Sequence, residues 1–154
     1  MKCAAVMESP IGPLTLVEEN GALTELRFGE HAEDTVLCKT PLLQQAMQEL
    51  NEYFSGRRKN FTVPLRPAGT PFQQRCWAAL LQIPYGQTRT YGQQAVMIGQ
   101  PKASRAVGMG NHCNPLPVLI PCHRVVGANG KLTGYAGGLH IKEILLQIER
   151  MNPS

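Results

Sequence analysis

Between Glu52 and Glu143 the chain carries no carboxylate side chain: ninety residues pass with eleven Lys/Arg and neither Asp nor Glu. At this chain's own frequency of acids such a gap has odds of roughly one in a thousand. It is an electrostatic footprint for a polyanion. Other absences narrow the class further. The opening stretch "MKCAAVMESPIGPL" holds no apolar run of signal-peptide length before Glu8, Ser9 and Pro10, and no window approaches the apolar length of a membrane span. Export and membrane insertion are therefore not expected, and the protein is expected to be cytoplasmic, in cytosol or nucleoid. None of the five cysteines (Cys3, Cys38, Cys76, Cys113, Cys122) forms a C-x-x-C pair, and their number is odd. A disulfide framework is not expected, and free thiols in a reducing compartment are the expectation. There is no internal repeat and no low-complexity tract.

What is present changes character near residue 66. Residues 1 to 66 hold seven Lys/Arg against nine Asp/Glu, a net −2, whereas residues 67 to 154 hold eight Lys/Arg against Glu143 and Glu149 only, a net +6. With 154 residues and 43% hydrophobic content, the chain can build one full core or two small ones. In the first part "AAVMES", "PLTLVEE" and "LTELRF" alternate apolar and polar residues, with turn signals at "SPIGP" and "ENG", and predict a small antiparallel sheet. Thr40 as N-cap, Pro41 at the first helical position, Leu43, Ala46, Met47, Leu50 and Phe54 at helical spacing and Gly56 as a stop predict one helix. "FTVPL" is a candidate strand, and "RPAGT" reads as a linker.

The second part has a helical texture. Thr70-Pro71 caps "PFQQRCWAALLQ", whose Phe72, Cys76, Ala79 and Leu80 share a face, and "IPYGQT" turns toward Thr90 as the next N-cap. A short helix, a Gly-Gln-Pro turn and a second helix beginning at Pro101 or Lys102 make a helix-turn-helix pattern. The second of these helices is built of Ala, Ser and Gly, with Lys102 and Arg105 in its first turns, so its backbone can approach a groove wall while its basic residues meet phosphates. "NPLPVLIPCHRV" cannot be a helix, because Pro115, Pro117 and Pro121 break every turn; a stiff extended arm ending at Cys122 is expected. "GANGKLTGYAGG" predicts a hairpin or wing with a flexible lip. In the closing helix Ile141, Ile144, Leu145 and Ile148 form an apolar stripe with Glu149 at its edge.

A lone cysteine is usually a small core hydrophobe, but the setting of Cys122 is unusual. A thiol attacks as thiolate, and a neighbouring base or positive charge lowers its pKa from about 8.5 toward or below neutrality. Cys122 is followed by His123 and Arg124. In a strand adjacent side chains point to opposite faces, so a Cys122–His123 contact needs a turn or a bridging water. The histidine in turn wants an orienting carboxylate. Of the two available, Glu143 is expected to be solvated and Glu149 buried, giving a Cys122, His123, Glu149 triad. From these residues two readings remain open, a cysteine hydrolase and a DNA-acting protein that uses a thiolate; the second also accounts for the acid-free basic run.

The run "IPCHRV", with "NPLP" upstream and "GYAGGL" downstream, resembles the active-site region of the O6-alkylguanine-DNA alkyltransferases, the methylated-DNA–protein-cysteine methyltransferase family. The resemblance runs from about Thr70 to Glu149: "TPFQQRCWAALLQIPYGQTRTYGQQA" is similar to the family's opening helices and "KASRAVG" to its recognition helix. It implies an α+β fold, with a small N-terminal α/β domain of ribonuclease-H-like type (1–66) and a mainly helical, winged helix-turn-helix-like domain (67–154). It also implies an activity: stoichiometric, irreversible transfer of an alkyl group from O6-alkylguanine, and from O4-alkylthymine, to Cys122, with the base flipped out of the duplex. His123 is then a base acting through a water, Glu149 holds it, Asn114 braces the active-site turn and Tyr135 donates to guanine N3. Arg105 corresponds to the finger that fills the vacated stack and Tyr91 to the residue that crowds the target phosphate. Lys102 meets phosphates, while Ala106 and Gly108 let the recognition helix enter the minor groove. The implied partner is double-stranded DNA containing alkylated guanine, bound by a monomer without cofactor or metal. Ala136 stands where many relatives have serine, and "MGNHC" is less basic than the family's usual version. Cys3, His31 and Cys38 match no zinc spacing.

Overall fold

The computed structural model describes residues 1–152 and divides into two compact units, one spanning Met1–Ala68 and the other beginning at Gly69. In the first unit, strands β1 (Cys3–Met7), β2 (Leu14–Glu19), β3 (Ala22–Phe28) and β4 (Val36–Leu37) form one sheet in the order β3-β2-β1-β4. The first three strands are antiparallel, and the two-residue β4 joins β1 in parallel. Asn20 and Gly21 both have positive φ, 53° and 80°, as a two-residue hairpin turn matched to strand twist requires. Helix α1 (Pro41–Phe54) starts where the Thr40 side chain accepts from Leu43 N and packs on β1 and β2. Its buried face is Leu43, Ala46, Glu49, Leu50 and Tyr53. Met47 and Phe54, expected on that face, are only half-buried. "FTVPL" adds no strand but a single bridge, Leu65 to Leu23, since Pro64 has no N–H to give a ladder. Among the described residues no cluster of His, Cys, Asp and Glu is built to hold a metal ion, and no helix is long and apolar enough to cross a membrane.

The second unit holds α2 (Pro71–Leu80), β5 (Arg89–Thr90), α3 (Tyr91–Met97), α4 (Ser104–His112), β6 (Val125–Val126) and α5 (Leu139–Met151). Thr70 and Thr90 each close a full capping box, with Gln73 and Gln93 returning the bond. Helices α2, α3 and α4 pack on one another. Trp77, which the apolar series of α2 did not single out, is the largest fully buried side chain, and its Nε1 donates to Gly110 O at 2.9 Å. Close approach explains the glycine there: a Cβ on Gly110 would lie 3.1 Å from Cys76 Sγ. Between α3 and α4 two buried amides bond reciprocally, Gln94 Nε2 to Asn111 Oδ1 at 2.9 Å and Asn111 Nδ2 to Gln94 Oε1 at 2.7 Å.

Three expectations change. Helix α4 begins at Ser104, so Lys102 lies in the preceding turn, where Ala103 N is bonded to Gln100 O. The "NPLPVLIPC" arm is a compact buried loop: Val118 takes φ 73°, reversing the chain, and Ile120 N bonds back to Leu116 O at 2.8 Å. Third, "GANGKLTGYAGG" forms no hairpin of strands; β6 pairs in parallel with β5, and past it the chain makes two tight turns, closed by Gly127 N to Lys131 O at 2.8 Å and Gly138 N to Tyr135 O at 2.9 Å. Five glycines, three of them (Gly130, Gly134 and Gly138) at positive φ, favour turns over ladder pairing.

The amide pair gives a direct test of the α3–α4 packing. Gln94→Ala should cost about 1–3 kcal/mol, because the Asn111 amide stays buried without its partner, and the double variant Gln94→Ala/Asn111→Ala should lose less than the sum of the single losses. Urea unfolding followed by the fluorescence of Trp77, the chain's only tryptophan, reads this unit alone; additive losses would refute the coupling.

Candidate active site

The loop from Asn114 to Pro121 leads directly into Cys122. Asn114 ties its two ends together: Nδ2 donates to Ile120 O at 2.9 Å and Oδ1 accepts from Leu116 N at 2.9 Å. Val118, a β-branched residue at positive φ, is held in strain of the kind that persists where the surroundings over-determine the backbone. At the end of the loop Cys122, His123 and Arg124 form one 3-10 turn, with Arg124 N bonded to Pro121 O at 3.0 Å. That turn, and not a strand, sets the directions of the thiol and the imidazole.

The turn aims two side chains at one carboxylate. His123 Nε2 lies 2.7 Å from Glu149 Oε2, Arg124 Nε donates to Oε1 at 2.9 Å and Nη2 to Oε2 at 3.1 Å, and Gly86 N–H donates to Oε1 at 3.0 Å. Arg124 also donates to Ile83 O at 2.7 Å. Glu149 is 1% exposed and His123 0%. Burial pushes the Glu149 carboxyl up, but His123 and Arg124 outweigh it and hold the group far below its usual range. The carboxylate is therefore ionised and accepts only, so His123 Nε2 carries the ring proton. Burial lowers the His123 pKa despite the carboxylate; in the neutral ring Nδ1 then holds the lone pair. Arg124, expected as a charge beside the thiol, is committed to Glu149.

Burial dominates at Cys122, pushing its thiol up to about 11, against hydrogen bonds from Asn114 and Tyr135 and the positive charge of Lys142. The resting group is a thiol, contrary to the depressed pKa expected from its basic neighbours: their charge is spent on Glu149, and desolvation penalises the anion. Lys142 is fully buried, and its Nζ donates to Thr133 O at 2.8 Å. Burial brings its pKa down to about 8, with Cys122 opposing. Tyr91 OH donates to the same carbonyl at 3.2 Å. Two side chains thus clasp the loop that carries Tyr135 and Ala136.

Above the thiol lies a cavity of about 500 Å³. Its floor is Cys122; one wall is α4, through Arg105, Gly108, Met109, Asn111 and His112, and the other is the Thr133–Ala136 stretch, with Tyr91 at its side. The structure therefore gathers Cys122, Tyr135, Arg105, Tyr91 and Gly108 around one space and sets His123, Glu149 and Asn114 behind its floor. Lys102 and Ala106 are exposed and do not line the cavity. Lys142, Asn111 and Thr133 were not singled out from the sequence. The buried face of α5 is Lys142, Leu145, Leu146 and Glu149, one residue along from the apolar stripe, so Glu149 lies on its centre line. A face with charges seven residues apart was the available signal.

The chain matches the family described as 6-O-methylguanine DNA methyltransferase, ribonuclease-like domain, over residues 3–67, and its DNA binding domain over residues 71–151. It is 49% identical over 150 residues to the methylated-DNA–protein-cysteine methyltransferase of Methanosarcina acetivorans, covering 94% of this chain and 96% of that protein. With the constitutive methylated-DNA–protein-cysteine methyltransferase of Bacillus subtilis it shares 47% over 154 residues, covering 94% and 93%. The crystal structure of Mycobacterium tuberculosis O6-methylguanine methyltransferase matches with a TM-score of 0.91 at 46% identity, covering 100% of this chain and 96% of that one. That of Mycobacterium tuberculosis OGT in complex with DNA matches with a TM-score of 0.91 at 47% identity, covering 97% and 94%. By sequence across both units and by fold, the chain belongs to the 6-O-methylguanine DNA methyltransferase family.

Proposed function

We propose that the protein repairs DNA directly, moving the alkyl group of O6-alkylguanine, and of O4-alkylthymine, irreversibly onto Cys122. The observation that carries this reading is a buried thiol on the floor of a cavity of ligand size, backed by a His–Glu pair, in the half of the chain that has almost no acid. A guanine stacked in a duplex cannot bring its O6 to such a floor, so the nucleotide is extruded into the cavity at a cost of a few kcal/mol, less for a damaged pair. Arg105 at the rim fills the vacated stack, and Tyr91 crowds the target phosphate. Lys102 holds phosphate from the turn before α4, and Ala106 and Gly108 let that helix lie close in the minor groove. The partner is double-stranded DNA carrying the lesion, bound by a monomer. The five free cysteines fit a reducing cytosol.

The chemistry follows from the charges. Because the thiol rests protonated, His123 Nδ1 takes its proton through a water as sulfur approaches the alkyl carbon. The S–C bond forms, the C–O6 bond breaks, and its electron pair stays on guanine, helped by Tyr135 donating at N3. Guanine then acquires a proton at N1 in place of the one the thiol lost. Glu149 keeps the imidazole in the tautomer that can accept, and Lys142 offsets negative charge developing on sulfur. The product thioether cannot be displaced by anything the site provides, so each molecule acts once.

Incubation with duplex DNA carrying labelled O6-methylguanine should transfer one equivalent of label to the wild type and none to Cys122→Ala; label on the variant, or none on the wild type, would overturn the assignment. Repeated turnover of an ester or amide would instead favour hydrolysis. Arg105→Ala should slow repair in duplex more than reaction with free O6-benzylguanine, and equal losses on both would remove the finger role.

In the second unit acid should act on stability through Glu149. Its folded pKa is depressed from 4.5 to about 2, so its contribution to stability is complete above pH 4.5 and is lost as pH falls through the folded value. The loss is on the order of 3 kcal/mol. Trp77 fluorescence should report it between about pH 4.5 and 2. Glu149→Gln should abolish that acid dependence and cost about 3–5 kcal/mol at neutral pH, because Arg124 is left buried without its anion; an unchanged acid profile would refute this.

A further inference from the structure

On α4 the residues turned away from the core are Arg105, Ala106, Met109 and His112, while Val107, Gly110 and Asn111 are buried. Met109 stands out among them. It is 64% exposed, its neighbours on either side are Gly108 and Gly110, and it lines the same cavity as Arg105 and Cys122. Most of its side chain stays in solvent, although leaving a large apolar group in water forgoes burial that most methionines obtain. A single exposed apolar residue is ordinary. One that projects from between two glycines, at the mouth of a reactive cavity and one turn from a basic finger, is not.

Resting on the alkyl-transfer reading above, we infer that Met109 is a second, apolar wedge: it enters the minor groove beside Arg105 and holds open the base step next to the extruded nucleotide. The spacing supports it. Four residues advance a helix by about 6 Å, and successive bases on one strand lie about 3.4 Å apart. When Arg105 occupies the vacated position, Met109 therefore falls within one to two base steps of it, against a stacked pair and not against the lesion. Proteins that bind the minor groove use Met, Leu, Ile and Phe in this way, partially unstacking a step to bend the duplex around the protein. Methionine suits the task because its unbranched, polarisable thioether adapts to an irregular gap. The division of labour follows from chemistry: Arg105 offers hydrogen bonds and charge where a base has left, and Met109 offers only shape where the bases remain paired.

The test uses the full chain and a duplex carrying labelled O6-methylguanine with 2-aminopurine one step away, whose fluorescence rises when it unstacks. Wild type, Met109→Ala and Met109→Leu are compared for that rise, for single-turnover transfer from the duplex and for reaction with free O6-benzylguanine. The expected result is a rise with wild type and Met109→Leu, little with Met109→Ala, and transfer from duplex about tenfold slower in Met109→Ala, with a smaller loss on the free base. A full fluorescence rise with Met109→Ala, or equal losses on duplex and free base, would overturn the wedge, the second result marking Met109 as cavity wall instead. Failure of Met109→Leu to rescue would overturn it too. If the wild type moves no label, the alkyl-transfer reading falls and the wedge falls with it; normal transfer by both wild type and Met109→Ala removes the wedge alone.

Discussion

The carboxylate of Glu149 is the point on which the second unit depends. Brought in on α5, it is bonded by the imidazole and guanidinium of the 3-10 turn and by the N–H of Gly86. A charge so deeply buried persists only when its acceptor sites are filled with good geometry, and here the bidentate arginine, one ring nitrogen and one backbone donor fill them. Through Arg124 the same network reaches Ile83 O. Three separate pieces of chain thus converge on one anion, and the imidazole receives its tautomer as a by-product of how that anion is satisfied. Stability and chemistry share the same bonds in this region.

The thiol follows from that arrangement by exclusion. With Arg124 neutralised by Glu149 and His123 neutral through burial, Lys142 is the cation left near sulfur, and no carboxylate is bonded to it among the described residues. A buried thiol beside one positive charge rests protonated yet gains from becoming an anion. Such a group reacts slowly with electrophiles in water until a base removes its proton.

The walls of the cavity are held in different ways. The α4 wall is fixed by tight packing: the reciprocal Gln94–Asn111 amides, the Trp77 bond to Gly110 and the glycine that lets α4 approach Cys76. The opposite wall is a glycine-containing loop secured at Thr133, whose carbonyl accepts from both Tyr91 and Lys142. One wall presents a packed helix face; the other is a loop held at Thr133 by hydrogen bonds with Tyr91 and Lys142.

The amino-acid sequence by itself determined the elements and their ends. Thr40, Thr70 and Thr90 cap helices because a side-chain oxygen meets a free N–H within three residues, and Asn20-Gly21 turns because both residues tolerate positive φ; these are local effects. It also marked Cys122 as the candidate nucleophile and Glu149 as the carboxylate that meets His123, since Cys122 sits in a distinctive run and only two acids serve the basic half. The tertiary structure decided what depends on distant partners. The proline-rich arm became a closed loop because Asn114 bonds its far end, and the buried face of α5 moved one residue along because Glu149 and Lys142 found partners on other segments. Arg124 turned from the thiol to the carboxylate, and the thiol pKa rose where local charge had implied a fall. Local chemistry is written in neighbouring residues, whereas burial and pairing across sequence separations of 25 or more residues exist only once the chain has folded.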